Sequence, residues 1–275
     1  MKYRNTRNAE ATARFWGKPL DRSDWYKVNS QSDDEAEVLI YDVIGWPFSD
    51  ASELVRALAG MKQKTITVRI NSPGGDVFDA MAIFNALQAH GSKIVTRIES
   101  LAASAASFIA LAGKETQAYP NAMIMIHEPW AHAAGSQFDL REIADVLEKI
   151  SGNMVDIYAA NTKVGKREIK DMLKAETWLT AKDALEKGFI GKIIDGKAAK
   201  AQFDLSMFAN TPDSLKSTEA NTKPDKRTLE HALRDAGLTQ VAAKAVIARG
   251  FAAIDEDEAT ISAAQRVLKI IRGGK

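Results

Sequence analysis

Two side chains in this sequence could serve as a nucleophile and its base. Ser104 lies in the run LAASAAS (101–107), whose small residues permit close packing beneath an exposed hydroxyl where a strand meets a helix. His127 follows the apolar run AMIMI (122–126). Imidazole is the usual base for a hydroxyl nucleophile, because its pKa lies near neutral pH. Each residue alone is more often structural, but His127 is the best placed of the four histidines.

Backbone amides and a carboxylate would complete acyl-transfer chemistry. The run PGGD (73–76) follows a predicted strand and opens a predicted helix, so its amides can approach a ligand closely at a helix N-terminus. The amides of Gly75 and Ala105 would suit an oxyanion hole. The glycine run alone would equally suit a phosphate or a simple chain reversal. Glu176 supplies a carboxylate that could orient the imidazole.

Strands and helices alternate around these residues. Strands are predicted at 37–45, 65–70, 94–99, 122–126 and 189–194, and helices at 49–60, 76–90, 102–112, 138–160, 166–174 and 181–187. This alternation predicts an α/β fold with a mostly parallel sheet and right-handed crossovers. In such folds reactive groups gather at the carboxyl ends of the strands.

Composition divides the chain into four regions. Residues 1–35 are predicted to form a loosely ordered N-terminal arm, residues 36–197 the α/β domain, residues 198–227 a linker and residues 228–275 a helical accessory region. The linker assignment depends on the stretch 209–227, which has almost no apolar residues. The accessory region is predicted from the return of helical periodicity.

Charge and residue usage exclude several function classes. Lys+Arg 37 against Asp+Glu 36 leave a net charge of +1, so no global basic field points to nucleic acid. The absence of cysteine excludes disulfides, a cysteine-rich zinc site and a thiol nucleophile. The N-terminus lacks the apolar core of a signal peptide, and the run 101–112 is about half the ~20 residues of a membrane span. A cytoplasmic protein without a membrane partner is expected.

Four motifs together resemble the proteolytic subunit of the Clp protease family: INSPGG at 70–75, AAS at 102–104, MIHEP at 125–129 and WLTA at 178–181. They follow the family's order and approximate spacing over about residues 36–196. The residues of these motifs are most similar to those of phage and prophage members known as head maturation proteases, which often carry a C-terminal extension. The resemblance implies the fold shared by Clp proteolytic subunits and crotonases, with a mostly parallel sheet and a C-terminal helical extension.

The resemblance also implies a role for each site residue. Ser104 becomes the nucleophile, His127 the general base and later acid, and Glu176 the acidic member, while the amides of Gly75 and Ala105 form the oxyanion hole. The implied activity is that of a serine endopeptidase that needs no metal or other cofactor. The same resemblance implies that the protein acts in the host cytoplasm or inside a phage procapsid.

Partners are implied in the same way. The helix at 138–160 would join subunits in a homo-oligomer of rings, heptameric or stacked. Substrates would be polypeptides, including capsid or scaffold proteins of a phage head. The sequence lacks a GxxxxGK[ST] motif, so an ATP-dependent unfoldase would be a separate chain.

Three positions depart from the family pattern or offer an alternative to it. The family usually has Asp as the acidic member, so Asp171 competes with Glu176 for that role. Ser100 stands where the family commonly has Gly. Ser107, one helical turn after Ser104, is an alternative nucleophile.

Other functions fit parts of the sequence. Enoyl-CoA hydratases and isomerases share the core fold, but they use carboxylates and lack the serine-histidine pair. A Ser-Lys signal-peptide peptidase would normally be membrane-anchored. An inactive scaffolding protein of the phage head is the alternative from another class, and the reactivity of Ser104 distinguishes it from an enzyme.

Overall fold

The computed structural model describes residues 25–45, 48–196 and 203–215, together with the isolated positions 230, 234, 239, 240 and 244. The chain divides into two units, Met1–Ser217 and Thr218–Lys275, and the description below concerns the first. Most of the predicted arm, parts of the predicted linker and nearly all of the predicted C-terminal helices lie outside the described residues.

A mainly parallel sheet of eight strands is the centre of the first unit. The strands are β1 (Tyr26–Ser30), β2 (Glu35–Ile40), β3 (Thr65–Ser72), β4 (Lys93–Ala103), β5 (Glu115–Ala118), β6 (Met123–Ile126), β7 (Thr177–Thr180) and β8 (Lys192–Ile193). They run in the order β1-β2-β3-β4-β5-β8, while β6 pairs with β4 and β7. Only β1 with β2 and β6 with β7 are antiparallel among the pairs of the described strands. The predicted α/β class is confirmed.

Six α-helices connect and cover these strands within the described part of the chain. They are α1 (Ala51–Gly60), α2 (Val77–Gln88), α3 (Ala105–Ala110), α4 (Gln137–Asn161), α5 (Lys166–Lys174) and α6 (Ala181–Lys187), and a 3-10 turn follows at Asp213–Leu215. Side-chain oxygens satisfy amides that helix formation leaves unpaired, because Asp50 caps α1, Asp76 caps α2 and Ser136 caps α4. None of the described helices combines the length and apolarity that a membrane crossing requires.

Strand β4 is the element that differs most from its predicted form. It runs to Ala103, whereas the sequence predicted a strand that stops at residue 99 and a helix from residue 102. Ser72 pairs with Ala102, and Ala103 pairs with Met125, so neighbouring strands hold this stretch extended. Helix α3 therefore begins only at Ala105.

The beginning of the sheet also differs from the prediction of a loose arm over residues 1–35. Strand β1 pairs along its whole length with β2, and Trp25 is buried with 3% of its surface exposed. The edge of Trp25 packs against Tyr26 at a centroid distance of 5.0 Å. Burial of these aromatic rings supplies the apolar contact that holds an otherwise polar segment in place. The short strand β5 was also not predicted.

The hydrophobic core lies between the sheet and its helices. Helices α1 and α2 bury Leu54, Leu58 and Leu87, and every residue of α3 is buried. Phe108 of α3 makes edge contacts with Phe84 of α2 and Tyr158 of α4, each at a centroid distance of 6.4 Å. Small alanines let α3 lie close to the strands, as the alanine-rich sequence predicted.

We expect Leu54→Ala to lower the free energy of unfolding by about 2–5 kcal/mol, because it opens a cavity beneath α1. Leu54 has no exposed surface. Urea unfolding followed by circular dichroism measures the change. Val28→Ala is the control, since Val28 is 37% exposed on edge strand β1 and should cost under about 1 kcal/mol. Equal losses in the two variants would contradict this account of the core.

Candidate active site

Ser104 occupies a sharp turn between β4 and α3. Its backbone has φ 52° and ψ −126°, a left-handed conformation that residues other than glycine rarely adopt. Hydrogen bonds hold this turn on both sides, and one of them runs from the Ser107 amide to Ser104 O at 2.9 Å. The Ser104 amide donates to Met125 O of β6 at 2.8 Å, and Ser107 Oγ donates to Ser104 O at 2.6 Å. The turn ends β4 abruptly and presents the hydroxyl of Ser104 at the carboxyl edge of the sheet.

His127 lies beside this hydroxyl because the two parallel strands β4 and β6 end at the same edge. Ala103 pairs with Met125, so the residue after β4 and the residue after β6 emerge next to each other. The distance from Ser104 Oγ to His127 Nε2 is 2.7 Å, a hydrogen bond. With the ring neutral and Nε2 unprotonated, the hydroxyl donates and the imidazole accepts.

The pKa of His127 is lowered from its ordinary value of 6.5, chiefly because burial disfavours the charged imidazolium. The carboxylate of Glu176 acts in the opposite direction and raises the pKa. A neutral imidazole is the form that can take a proton from a hydroxyl. The surroundings of His127 therefore favour the state that a general base requires.

Gly74 and Gly75 bring backbone amides to the serine turn. A Cβ on Gly74 would lie 2.6 Å from Ala103 O and 2.8 Å from Ser104 Cβ, so only glycine permits this approach. Gly75 has φ 148°, and a Cβ there would lie 1.9 Å from Ile44 O. Ile44 fixes the loop, since its amide donates to Gly74 O at 2.8 Å and its carbonyl accepts from the Asp76 amide at 2.7 Å.

Two amides near the serine are free to bind an oxygen. Among the hydrogen bonds of the described residues, neither the Gly75 amide nor the Ala105 amide has an acceptor. A Cβ on Gly74 would lie 3.0 Å from the Ala105 nitrogen, which shows how closely the two segments approach. Unpaired amides beside a serine hydroxyl are groups that can stabilise a developing oxyanion.

Glu176 lies in the tight turn between α5 and β7, with φ 49°. Its carboxylate accepts hydrogen bonds from the amides of Ala209 at 2.9 Å and Asn210 at 2.6 Å. No hydrogen bond within the described part of the chain joins it to His127, and it acts on the imidazole through its charge. Asp171, the competing carboxylate, lies exposed on α5.

Ser107 does not have the surroundings of a nucleophile. It is buried with 1% of its surface exposed, and its hydroxyl is held between Ser104 O and the hydroxyl of Tyr158, 2.6 Å away. Burial raises the pKa of Tyr158, so its hydroxyl stays protonated and can donate to Ser107. Ser107 supports the serine turn instead, which corrects the expectation that it offers a second nucleophile. Ser100 lies within β4 and is also buried.

A segment that sequence reasoning assigned to the linker contacts this site. Residues 203–215, here named the strap, pack on the domain through Leu205 and Phe208. The ring of Phe208 meets the ring of His127 edge to face, at a centroid distance of 5.5 Å and an angle of 87°. Apolar residues at positions 203, 205, 207 and 208 were the available signal. The polar stretch that begins at residue 209 obscured it.

Comparison with known proteins identifies the family. The family model described as Clp protease matches residues 21–197. The chain belongs to the Clp protease family. Its relatives include the ATP-dependent Clp protease proteolytic subunit 2 of Rhodococcus jostii (strain RHA1), 34% identical over 140 residues that make up 50% of this chain and 71% of the relative. The protein of the same name from Thermobifida fusca (strain YX) is 32% identical over 144 residues, 52% of this chain and 71% of the relative.

The family region and the described structure have different ends. The match begins at residue 21, so it includes β1, which the prediction of an arm over residues 1–35 had left outside the domain. It ends at residue 197, before the strap. The contacts of the strap with His127 and Glu176 thus come from a part of the chain beyond the matched Clp protease region.

We expect Ser104 to react with a fluorophosphonate with a half-maximal rate below pH 6.5, because burial lowers the pKa of His127 and only the neutral ring activates the hydroxyl. Glu176→Gln should move this midpoint further down, since it removes the charge that raises the pKa. Labelling rates between about pH 4.5 and about pH 8, a range that spans the ordinary pKa of imidazole, measure it. Asp171→Asn is the control, and an upward shift in Glu176→Gln would contradict the electrostatic assignment.

Proposed function

We propose that this member of the Clp protease family is a serine endopeptidase. The observation that carries the proposal is the 2.7 Å hydrogen bond from Ser104 Oγ to His127 Nε2, beside the unpaired amides of Gly75 and Ala105. Nucleophile, base and oxyanion donors are the parts that peptide hydrolysis through an acyl-enzyme needs. The names of the relatives, proteolytic subunits of ATP-dependent proteases, support the same reaction.

The geometry supports a two-stage mechanism. His127 removes the proton of Ser104 as Oγ attacks the carbonyl carbon of a peptide bond, and the amides of Gly75 and Ala105 bind the resulting oxyanion. The imidazolium then gives its proton to the leaving amine, and an ester to Ser104 remains. Water attacks this ester with His127 again as base, and Ser104 is restored.

Glu176 is the acidic member in this proposal. Its negative charge favours the imidazolium that forms when His127 takes the proton. Asp171 lies exposed on α5, and its charge is not among the causes of the shifted pKa of His127. A direct hydrogen bond is not required for this role, since the interaction of opposite charges acts across several ångströms inside a protein.

The assembly and substrates follow from family membership and one surface. Helix α4 leaves Phe138, Leu140 and Val146 exposed, at 68%, 44% and 50% of their surface. Exposed large apolar side chains on this helix suit contact between copies of the chain in a ring. We propose polypeptide substrates within a phage head, capsid or scaffold proteins, from the resemblance of its motifs to those of head maturation proteases. An unfoldase, where one takes part, would be a separate chain.

An inactive scaffolding protein is the second candidate. The exposed apolar residues of α4 would suit it equally. It does not require the strained backbone of Ser104, which costs about 1–3 kcal/mol, or a hydrogen-bonded imidazole beside that serine.

We expect Ser104→Ala to reduce cleavage of fluorescein-labelled unfolded casein by at least about a thousandfold, because the residual amides cannot replace the nucleophile. Size-exclusion chromatography should show the wild-type assembly, since Ser104 Oγ has no structural partner other than the catalytic imidazole among the described residues. Retained cleavage would contradict the proposal.

Coproduction with capsid and scaffold proteins of the same genome, followed by mass spectrometry of cut sites, tests the phage role.

Substitution of Glu176 and of Asp171 should have different effects on activity. His127→Ala should cost more activity than Glu176→Ala, because the imidazole moves protons whereas the carboxylate only stabilises its charge. Asp171→Ala should keep activity within about twofold of wild type, as expected for an exposed side chain away from the site. Casein cleavage by purified variants of matched oligomeric state measures this order. A larger loss in Asp171→Ala than in Glu176→Ala would assign the acidic role to Asp171.

A further inference from the structure

The strap contacts the acidic side of the candidate site through three kinds of interaction. The ring of Phe208 meets the ring of His127 edge to face. The amides of Ala209 and Asn210 donate to the two carboxylate oxygens of Glu176 at 2.9 and 2.6 Å. The side-chain nitrogen of Asn210 donates to Ala175 O at 2.9 Å. Three consecutive residues thus contact both the base and its carboxylate.

These contacts restrain groups that have freedom of their own. Glu176 has a left-handed backbone, and a glutamate side chain has several rotamers that would carry its carboxylate away from His127. The two short charge-assisted hydrogen bonds from the strap select one of them, together with a longer one from Trp178 Nε1 at 3.4 Å. The bond from Asn210 to Ala175 O holds the backbone on the other side of the same turn.

The strap is built as a fixed part of the domain. Leu205 and Phe208 are 4% and 7% exposed and pack with Leu101, Ala103 and Met125 of the strands that carry the catalytic pair. The hydroxyl of Thr211, itself 7% exposed, donates to Leu205 O at 2.9 Å and closes the segment on itself. Buried apolar anchors and a satisfied buried hydroxyl are features of permanent structure.

The position of the strap argues against a blocking role. A segment that imitates substrate would place a carbonyl at Ser104 Oγ and its oxygen at the amides of Gly75 and Ala105. The hydrogen bonds of Ala209 and Asn210 end at Ala175 and Glu176 instead. Among the described residues, the hydroxyl of Ser104 is hydrogen-bonded to His127 and not to the strap.

We infer that Phe208, Ala209 and Asn210 are positioning residues of this protease, which hold His127 and Glu176 in their working arrangement from outside the family region. The inference rests on the proposed endopeptidase function. The chain would thereby use a longer carboxylate, Glu176, together with a C-terminal segment that fixes where this carboxylate lies. Activity would then depend on residues 203–215 as well as on the matched region, residues 21–197.

The first test compares two phenylalanines of the full-length chain. Phe208→Ala should slow fluorophosphonate labelling of Ser104 about tenfold, since even small misplacement of a catalytic group is costly. Phe208→Leu should recover most of the rate by refilling the space. Phe203→Ala is the matched control, because Phe203 packs on the same cluster and no ring contact joins it to His127 among the described residues.

The pH profile separates positioning from general loss of structure. Water that replaces Phe208 would relieve the desolvation that lowers the pKa of His127, so the labelling midpoint should move up in Phe208→Ala and stay in Phe203→Ala. Among the described residues, Ser104 is hydrogen-bonded to the imidazole, Phe208 contacts it and Glu176 acts on it through its charge. Only the second of these is changed by this variant.

A double-mutant cycle tests the amide contact. Asn210→Pro removes the amide that donates to Glu176, whereas Asn210→Ala keeps it and is the control. The loss that Asn210→Pro shows beyond Asn210→Ala, which lacks the same side-chain bond to Ala175 O, should fall to below about twofold in a Glu176→Ala background, because Glu176→Ala removes the acceptor of the amide. Fully multiplicative losses would overturn the inference.

The outcomes distinguish the inference from the function on which it rests. Unreactive wild-type protein would refute both the protease and its positioning residues. A reactive wild type with equal rates in Phe208→Ala and Phe203→Ala would refute the positioning role alone. Faster labelling in Phe208→Ala would also refute it and would make the strap an inhibitory segment.

Discussion

The site depends on one strained turn, at which β4 stops and α3 begins. Ser104 adopts a left-handed backbone that costs about 1–3 kcal/mol for a residue with a side chain. Contacts of Ser104 with the surrounding structure offset this cost. The Ser104 amide is hydrogen-bonded to β6, the Ser107 hydroxyl is hydrogen-bonded to the Ser104 carbonyl, and Gly74 lies in close contact. Small residues on both sides are a requirement of this turn, because larger ones would prevent the approach of Gly74.

The turn also connects distant parts of the domain. Ser107 links the carbonyl of Ser104 to the hydroxyl of Tyr158, in the last turn of the long helix α4. Tyr158 is fully buried and packs on Phe108 and Phe189. The helix that we assign to subunit contact is therefore hydrogen-bonded, through one serine, to the backbone of the nucleophile. A change in the packing of α4 at Tyr158 would therefore reach the backbone of Ser104 through two hydrogen bonds.

Much of this arrangement could be predicted from the sequence, since strand-helix alternation and four short motifs are local properties. Helices α5 and α6 have the predicted bounds, 166–174 and 181–187. The end of β4 was missed because alanine-rich residues favour helix in isolation, and only pairing with β3 and β6 keeps them extended. The strap was missed for a similar reason. Its order comes from Phe208 and Leu205 meeting strands β4 and β6, which lie far earlier in the chain, a contact that no local pattern encodes.

The most direct test of the central claim is to map the residue that a fluorophosphonate modifies. Correctly assembled wild-type protein is treated with the probe, digested and examined by mass spectrometry beside His127→Ala. The account predicts a single adduct on the peptide that contains Ser104, with little or none when the imidazole is absent. An adduct on another serine, or no adduct on the assembled wild type, would contradict an enzyme built around the Ser104 and His127 pair.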